Sequence, residues 1–222
     1  MRPYIQWCFA AFVLATTVVS HAAEEPIDLF DGKSLTGWDY FLVEPDVGMD
    51  EVWSVRDGLL VCKGEPMGYL CTKRDFTNFK LIVEWRWAPG KKPGNSGVLM
   101  RISGKPRALP RCLEAQLMHG NAGDFYGFQG FPLEGEPART IQKNHPLGGA
   151  LTGVKKFEGG EHEPGKWNRI EITLDGKNLS ATINGKLVNQ ATGCEVVPGK
   201  IGFQSEGGAI HFRTIKLIPL HD

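Results

Sequence analysis

The fold is decided by residues 80–119, KLIVEWRWAPGKKPGNSGVLMRISGKPRALPRCLEAQLMH, which contain three successive strand patterns. Apolar and polar side chains alternate with a period of two in residues 80–87, 98–102 and 112–118, as they do along half-buried strands. The link at residues 89–97 is rich in Gly and Pro, which are typical of turns. The stretch therefore predicts a β-sheet whose strands carry charges on one face.

The charges on these strands have two interpretations. Five polar side chains share one face if the three strands belong to one sheet: Glu84, Arg86, Arg101, Glu114 and Gln116. We expect chemistry on such a face, next to His119 at the strand exit. The alternative is a solvated face, because most antiparallel sheets expose one side to water.

The rest of the chain predicts more short strands and no long helix. Asp-Gly at 57–58 and Asn-Gly at 184–185 are typical of tight hairpin turns, whose residues need positive φ angles. The closing strand is expected to return beside early strands and place His211 or Arg213 opposite the central charges. Many short strands at this spacing indicate an all-β jelly-roll sandwich of two antiparallel sheets.

The pattern weakens between residues 120 and 165, where loop-forming residues are frequent. A loop of this length in a compact domain is usually functional, so we expect a lid or a wall of the site. Its aromatic side chains, expected to be exposed, suit stacking on sugar rings or packing over the sheet edge: Phe125, Tyr126, Phe128 and Phe131.

The chain begins with the pattern of a secretory signal peptide. Arg2 precedes an apolar run over residues 7–19, and small residues follow at Ala22 and Ala23. The run is shorter than the roughly 20 residues that cross a bilayer. We expect a signal peptide over residues 1–22, one domain over residues 23–222, and an exported protein, periplasmic or extracellular.

The composition excludes several classes of protein. The 25 basic and 25 acidic residues balance, which argues against nucleic acid as a partner, since phosphate binding needs a basic surface. Motifs for phosphate loops, serine hydrolases and zinc proteases are absent from the sequence. No cofactor, metal, membrane span or protein partner is predicted. A Ca²⁺ ion at the turn 121–124 is left open, because four residues do not define a site.

Four cysteines follow the signal peptide: Cys62, Cys71, Cys112 and Cys194. In an exported protein they allow up to two disulfides, in three pairings. A hairpin would bring Cys62 and Cys71 close together. The alternative is four buried thiols, and the sequence does not decide between the two.

Short motifs follow one another in order along the chain: LFDGKSLTGW (29–38), WSVRDGLL (53–60), FKLIVEWR (79–86), GNSGVLMR (94–101), EAQL (114–117), GKWN (165–168), GKIGFQ (199–204) and IHFRTI (210–215). In this order they resemble the 3-keto-disaccharide hydrolase domain family, which has a concanavalin-A-like jelly-roll fold. The resemblance covers nearly the whole mature chain. It implies a carbohydrate substrate whose sugar has been oxidised at C3.

The ketone changes the chemistry of glycoside cleavage. It acidifies the proton on C2, so a base can remove that proton and the enolate can expel the glycosidic oxygen before water adds. Such a site needs a base, a donor for the enolate oxygen and an acid for the leaving group. We assign Glu114 as the base, Arg101 as the enolate donor and His119 as a proton shuttle.

Substrate binding is assigned to six further side chains: Glu84, Arg86, Asn95, Ser96, Gln116 and Gln204. The charged residues also have structural alternatives, an ion pair of Glu84 with Arg86 and a salt bridge of Glu114 with Arg101. The rival function is a non-catalytic carbohydrate-binding module, since one fold serves many functions. An ordinary glycosidase would need two carboxylates roughly 5–10 Å apart, for which Glu84 and Glu114 are the candidates.

Overall fold

A computed structural model describes residues 25–220, which form two antiparallel β-sheets of eight strands each. The predicted signal peptide lies outside the described residues. Within residues 25–220, no helix is long and apolar enough to cross a membrane.

The strands, in chain order, are β1 Ile27–Asp28, β2 Trp38–Leu42, β3 Trp53–Arg56, β4 Leu59–Cys62, β5 Gly68–Thr72, β6 Phe79–Trp87, β7 Gly97–Ser103, β8 Arg111–Gln116, β9 Phe125–Phe128, β10 Thr140–His145, β11 Gly149–Val154, β12 Asn168–Asp175, β13 Asn178–Ile183, β14 Lys186–Ala191, β15 Lys200–Ser205 and β16 Ile210–Pro219. One short α-helix, Met49–Val52, and one 3₁₀ turn, Pro137–Arg139, complete the regular structure.

The two sheets confirm the predicted jelly-roll sandwich. Sheet I has the strand order β14-β13-β12-β6-β16-β4-β3, with β1 beside β16, and sheet II has the order β10-β11-β9-β8-β7-β15-β5-β2. The closing strand β16 lies between β6 and β4, as expected, and places His211 opposite Arg86. The hairpin turns are also confirmed, because φ is positive at residues 57, 58, 184 and 185.

The hydrophobic core lies between the sheets and follows from the alternation in the sequence. Val83 and Trp85 of β6 and Leu113 and Ala115 of β8 are fully buried in one cluster. Removing a side chain as large as that of Trp85 from such a core costs about 3–5 kcal/mol. Every other side chain of these strands therefore points to an outer face.

The expectation that the three central strands share a sheet is wrong. Strand β6 belongs to sheet I, whereas β7 and β8 belong to sheet II. Alternation specifies which side chains of a strand share a face, but it does not specify the sheet that the strand joins. The link at residues 88–96 leads from one sheet to the other, so Glu84 and Arg86 lie on a different outer face from Glu114.

The predicted long loop at residues 120–165 is also wrong, because strands β9, β10 and β11 extend sheet II there. Phe125, Phe128 and Phe131 are buried, so they are not free to stack on a sugar. Glycines interrupt the alternation where chains approach closely. A Cβ on Gly127 would lie 2.3 Å from the carbonyl oxygen of Phe131, which is why the strand pattern was hidden.

The four cysteines are free and buried, as in the thiol alternative. Cys62 lies in the core between the sheets, and Cys71 and Cys112 lie in the apolar cluster on the outer face of sheet II. Burial raises the pKa of Cys62, Cys71 and Cys194 to about 11. Thiols with such pKa values are poor nucleophiles at neutral pH.

Candidate active site

The outer face of sheet II carries the candidate site. On β8, Leu113 and Ala115 face the core, so Glu114 and Gln116 face outward. Gly97 of β7 lies opposite Gln116, and Gln204 of β15 lies on the other side of Gly97. Asn95, which precedes β7, and Glu206, which follows β15, complete the group. We call Asn95, Gly97, Glu114, Gln204 and Glu206 the Gly97 site.

Gly97 makes room for the polar groups above it. A Cβ at this position would lie 2.1 Å from Oε1 of Glu114 and 2.4 Å from Oε1 of Gln204. Both contacts are far shorter than van der Waals separation. The carboxyl and the amide therefore occupy space that only a glycine leaves free.

The carboxyl of Glu114 is buried, and one of its oxygens could accept a hydrogen bond from a ligand. Its residue is 1% exposed, and its Oε1 has no hydrogen-bond partner within residues 25–220. Burial raises the pKa of Glu114 well above its usual 4.5, and the charges of Glu206 and Asp124 raise it further. A carboxyl of this kind can hold or accept a proton at pH values where ordinary carboxylates cannot.

Polar atoms of two amides next to Glu114 also lack partners. Both side-chain polar atoms of Gln204 and Oδ1 of Asn95 are buried without a hydrogen bond among the described residues. An unsatisfied buried polar group costs about 1–3 kcal/mol, and native proteins rarely contain several together. Hydroxyl groups of a bound ligand would satisfy both donors and acceptors here.

Glu206 was not foreseen. It is partly buried, and burial raises its pKa although a hydrogen bond from Asn95 lowers it. The alternation of β15 places Glu206 on the same side as Gln204, so the period of two could have found it. Its chief effect on Glu114 is electrostatic, since it raises the pKa of that carboxyl.

Backbone contacts hold the two ends of the site together. The amide of Asn95 donates to the carbonyl of Gly207, 2.7 Å away. A Cβ on Gly94 would lie 2.0 Å from that same carbonyl oxygen. The glycines thus let the loop before β7 and the loop after β15 pack closely, which positions Asn95 beside Glu206.

Ser96 and Gln116, both predicted to bind substrate, make internal hydrogen bonds instead. The Ser96 hydroxyl, fully buried, donates to the carbonyl of Gln204 at 2.9 Å. Oε1 of Gln116 accepts from the amides of Leu117 and Met118, both at 2.9 Å. These two side chains shape the backbone around the site.

Arg101 does not face the site, so its assignment as enolate donor is wrong. A β-bulge lies between Met100 and Ser103, and Arg101 has a φ of 50°. The bulge re-aims the side chain. Its buried guanidinium donates to the carbonyls of Thr77 and Gly176, at 3.0 and 2.9 Å from Nη2. The alternative salt bridge with Glu114 is wrong for the same reason.

Glu84 and Arg86 lie on the outer face of sheet I, away from the Gly97 site. Glu84 accepts from Nε of Arg213 at 2.9 Å, and the Arg86 guanidinium lies 4.5 Å from the centre of the Trp167 ring. The predicted Glu84–Arg86 ion pair is therefore wrong. Glu84 also cannot act with Glu114 as a pair of glycosidase carboxylates.

His119 lies at the rim of the site rather than inside it. Its backbone amide donates to the carbonyl of Gly94, and its side chain is 42% exposed. Nδ1 of His119 is 3.7 Å from the carboxylate of Glu161. It reaches solvent more readily than it reaches Glu114.

A second polar cluster on this face was also missed. Tyr126 of β9 lies directly opposite Glu114, and Nζ of Lys155 donates to its hydroxyl and to Oδ2 of Asp124, both at 2.8 Å. Oδ1 of Asp124 accepts from the amide of Lys156 at 2.8 Å. Both oxygens of Asp124 are thus engaged by protein groups. Within residues 25–220, no group of three His, Cys, Asp or Glu side chains is arranged to hold a metal.

A surface hollow lies elsewhere on the molecule. It has a volume of about 690 Å³ and is lined by residues 130–134 and by parts of β10 and β11. None of the buried side-chain atoms that lack partners belongs to its lining. We therefore place the chemistry at the Gly97 site, where unpaired polar atoms converge, and not at this hollow.

A comparison with sequence families gives a match over most of the chain. A sequence model described as the 3-keto-alpha-glucoside-1,2-lyase-like domain matches residues 25–218. No curated protein matches the chain.

Solved structures share the fold at low sequence identity. A candidate glycosyl hydrolase from Parabacteroides distasonis has a TM-score of 0.64 at 21% identity, covering 88% of this chain and 94% of its own. A carbohydrate-binding module from Bacillus subtilis has a TM-score of 0.60 at 12% identity, covering 82% and 95%. A Bacillus licheniformis β-glucanase has a TM-score of 0.53 at 12% identity, covering 90% and 100%. At these identities the similarity shows the shared jelly-roll fold.

Proposed function

The chain belongs to the 3-keto-alpha-glucoside-1,2-lyase-like domain family, and on that basis we propose that the Gly97 site cleaves a glycoside whose sugar carries a ketone at C3. The reaction is a ketone-assisted elimination followed by hydration, which together amount to hydrolysis. The predicted signal peptide makes an exported enzyme our expectation, acting in the periplasm or outside the cell.

The observation that carries this proposal is the buried, unpartnered carboxyl of Glu114. Removing a proton from carbon needs a base whose conjugate acid has a pKa near the working pH. Burial and the neighbouring Glu206 raise the pKa of Glu114 in that direction. In its ionised form Glu114 accepts the C2 proton of the substrate, and Gly97 leaves the space that the Glu114 carboxyl occupies.

The sugar hydroxyls are bound by the unpaired amides. Gln204 offers one donor group and one acceptor, and Asn95 offers an acceptor. Both residues lie on strands or strand ends that the sandwich holds rigidly, so they fix the sugar relative to Glu114. Positioning of this kind supplies much of the rate of an enzyme.

A carbohydrate-binding module remains the second candidate, because the same unpaired amides would serve a lectin-like site without catalysis. The structural similarity to a carbohydrate-binding module supports that alternative through the fold alone. The two functions differ in whether the bound sugar is cleaved.

The test is product formation by the purified mature protein from a 3-keto-disaccharide, with the unoxidised disaccharide as the control. Release of a 3-keto-sugar from the oxidised compound alone supports the proposal. Cleavage of both compounds would point to an ordinary glycosidase. Saturable binding without cleavage would replace the proposal by the binding module.

A further inference from the structure

The proposed elimination needs an acid as well as a base. The glycosidic oxygen leaves with a pair of electrons, and an alkoxide is a poor leaving group unless it is protonated as it departs. Arg101 points elsewhere and His119 is at the rim. The other polar side chains on the outer face of sheet II are therefore the candidates for the acid.

Tyr126 is in the right place for this role. It lies directly opposite Glu114 in the β8–β9 ladder, where facing side chains have Cβ atoms about 4.5–5.5 Å apart. On its other side Tyr126 faces Gly153 of β11, and a Cβ there would lie 2.8 Å from Cε1 of the tyrosine ring. The ring thus packs over a glycine that makes room for it, it remains partly exposed, and it lies near enough to Glu114 for that charge to act on it.

The hydroxyl of Tyr126 is held by two charged groups. Nζ of Lys155 donates to it at 2.8 Å, and the hydroxyl donates to Oδ2 of Asp124 at 3.3 Å. Lys155 also contacts Asp124 at 2.8 Å. The ammonium group would stay beside the oxygen if the tyrosine lost its proton, so it would stabilise the phenolate.

We propose that Tyr126 is the catalytic acid that protonates the departing glycosidic oxygen, with Lys155 and Asp124 as its positioning residues. This inference rests on the proposed function. It gives Tyr126 and Asp124 roles that differ from those expected from the sequence, and it adds Lys155, which the sequence analysis did not name.

The protonation state of Tyr126 suits an acid. Burial raises its pKa above the usual 10, whereas the hydrogen bond from Lys155 lowers it and the net shift is upward. The phenol therefore keeps its proton at neutral pH. Burial lowers the pKa of Lys155, but the hydrogen bonds with Asp124 and Tyr126 outweigh that effect, so the ammonium stays charged.

The step balances without any other reactant. Ionised Glu114 takes the proton from C2, and the electron pair of that C–H bond forms the enolate of the C3 ketone. The enolate re-forms the ketone while C1 and C2 become doubly bonded and the C1–O bond breaks. The departing oxygen keeps the electron pair of that bond and takes the proton of Tyr126. The proton held by Glu114 then returns to the Tyr126 phenolate, and water adds across the double bond later.

The experiment compares two 3-keto-glucosides that differ in the leaving group, one releasing a nitrophenol and the other a sugar alcohol. A nitrophenolate leaves without protonation, whereas a sugar alkoxide does not. We expect Tyr126→Phe to reduce kcat about 100-fold or more for the sugar substrate and less than about tenfold for the nitrophenyl substrate, with KM nearly unchanged. Tyr40→Phe, at an exposed position on β2, is the matched control and should retain wild-type activity with both.

The pH profile gives a second readout that a structural role would not change. Removing the ammonium with Lys155→Met raises the pKa of Tyr126 further, so the basic limb of kcat should move to higher pH. Lys143→Met, at an exposed position on β10, should leave the limb in place. Thermal unfolding of each variant identifies any loss that comes from misfolding.

Equal losses for the two leaving groups, or a basic limb that stays in place in Lys155→Met, would overturn the assignment of Tyr126 while leaving the proposed function intact. A wild-type protein that is inactive toward both substrates overturns the proposed function, and this inference with it.

Discussion

The outer faces of the two sheets carry similar alternating charges and differ in what those charges contact. On sheet I both central carboxylates are paired: Glu84 with Arg213, and Glu171 with Lys80 and Arg169. On sheet II the carboxyl of Glu114 is buried and has an oxygen without a partner. Surface ion pairs of the first kind contribute about 0–1 kcal/mol each, whereas the second arrangement costs stability and is explained by function.

The contrast extends to the direction of the pKa shifts. Arg213 and Thr214 hold the pKa of Glu84 below its usual 4.5, and burial holds that of Glu114 well above it. The unpartnered side-chain atoms on the outer face of sheet I are nitrogens, Nε of Arg86 and Nδ1 of His211. Charge in the sequence therefore says little about chemistry until the partner of each charge is known.

The largest difference between the faces should appear when each glutamate is changed to glutamine. Glu114→Gln removes the base and should reduce kcat toward a 3-keto-disaccharide by about 10³-fold, within the range for acid–base groups. Glu84→Gln, the same change on sheet I, should stay within roughly threefold of the wild type. A steady-state assay of both variants decides this, and equal activity of the two would remove the catalytic role of Glu114. A variant that binds substrate tightly without turnover would fit a lost base, whereas a binding module would change only in affinity.

Gly97→Ala is expected to have the next largest effect. The new methyl would lie 2.1 Å from Oε1 of Glu114, so the carboxyl must move and kcat/KM should fall by about 100-fold, because a misplacement of about 1 Å can cost that much. Gly159→Ala is the control, since nothing lies within 4 Å of a Cβ there. Full activity of Gly97→Ala would mean that the position of the Glu114 carboxyl is not critical.

The sequence was sufficient to predict the sandwich and the outward-facing position of Glu114. Strict alternation in β8 determines that Glu114 and Gln116 share a face, and the Asp-Gly and Asn-Gly pairs at 57–58 and 184–185 determine two hairpins. These are local properties, in which each residue depends on its neighbours along the chain. The order of the short motifs along the chain added the resemblance to a known family.

The remainder of the site depends on contacts that local pattern does not contain. The sheet that β6 joins is decided by packing between distant strands, so Glu84 and Arg86 were placed on the wrong face. The orientation of Arg101 is decided by a bulge that inserts residues between Met100 and Ser103. Tyr126 and Lys155 come from a segment whose glycines, Gly127 and Gly153, disguise two strands as a loop.

A third prediction concerns the coupling of the two carboxyls at the Gly97 site. The charge of Glu206 raises the pKa of Glu114, and only the ionised form of Glu114 can act as a base. Activity should therefore rise with pH through the pKa of Glu114, which lies well above 4.5. In Glu206→Gln the repulsion is gone, so this acidic limb of kcat/KM should move to lower pH. The same limb measured in Glu84→Gln should not move, and a shift in both variants would indicate a general effect of net charge.

The smallest expected effect is on stability, and it should have opposite signs on the two faces. The folded-state pKa of Glu84 is lowered, so its contribution is present above its usual pKa of 4.5 and is lost as the pH falls through the lower, folded value. The folded-state pKa of Glu114 is raised, so its contribution is present below 4.5 and is lost as the pH rises through the higher, folded value.

At pH 7 to 8, Glu84→Gln should therefore lower the Tm by about 1–3 °C, as expected for the loss of one surface pair in a chain of this size. Glu114→Gln should leave the Tm unchanged or raise it, because a buried carboxyl that must ionise is replaced by a neutral amide. Thermal unfolding of both variants from pH 4 to pH 8 measures these changes in Tm. A fall in Tm at pH 8 for Glu114→Gln would show that the carboxylate stabilises the fold. The two faces would then differ less than their contacts indicate.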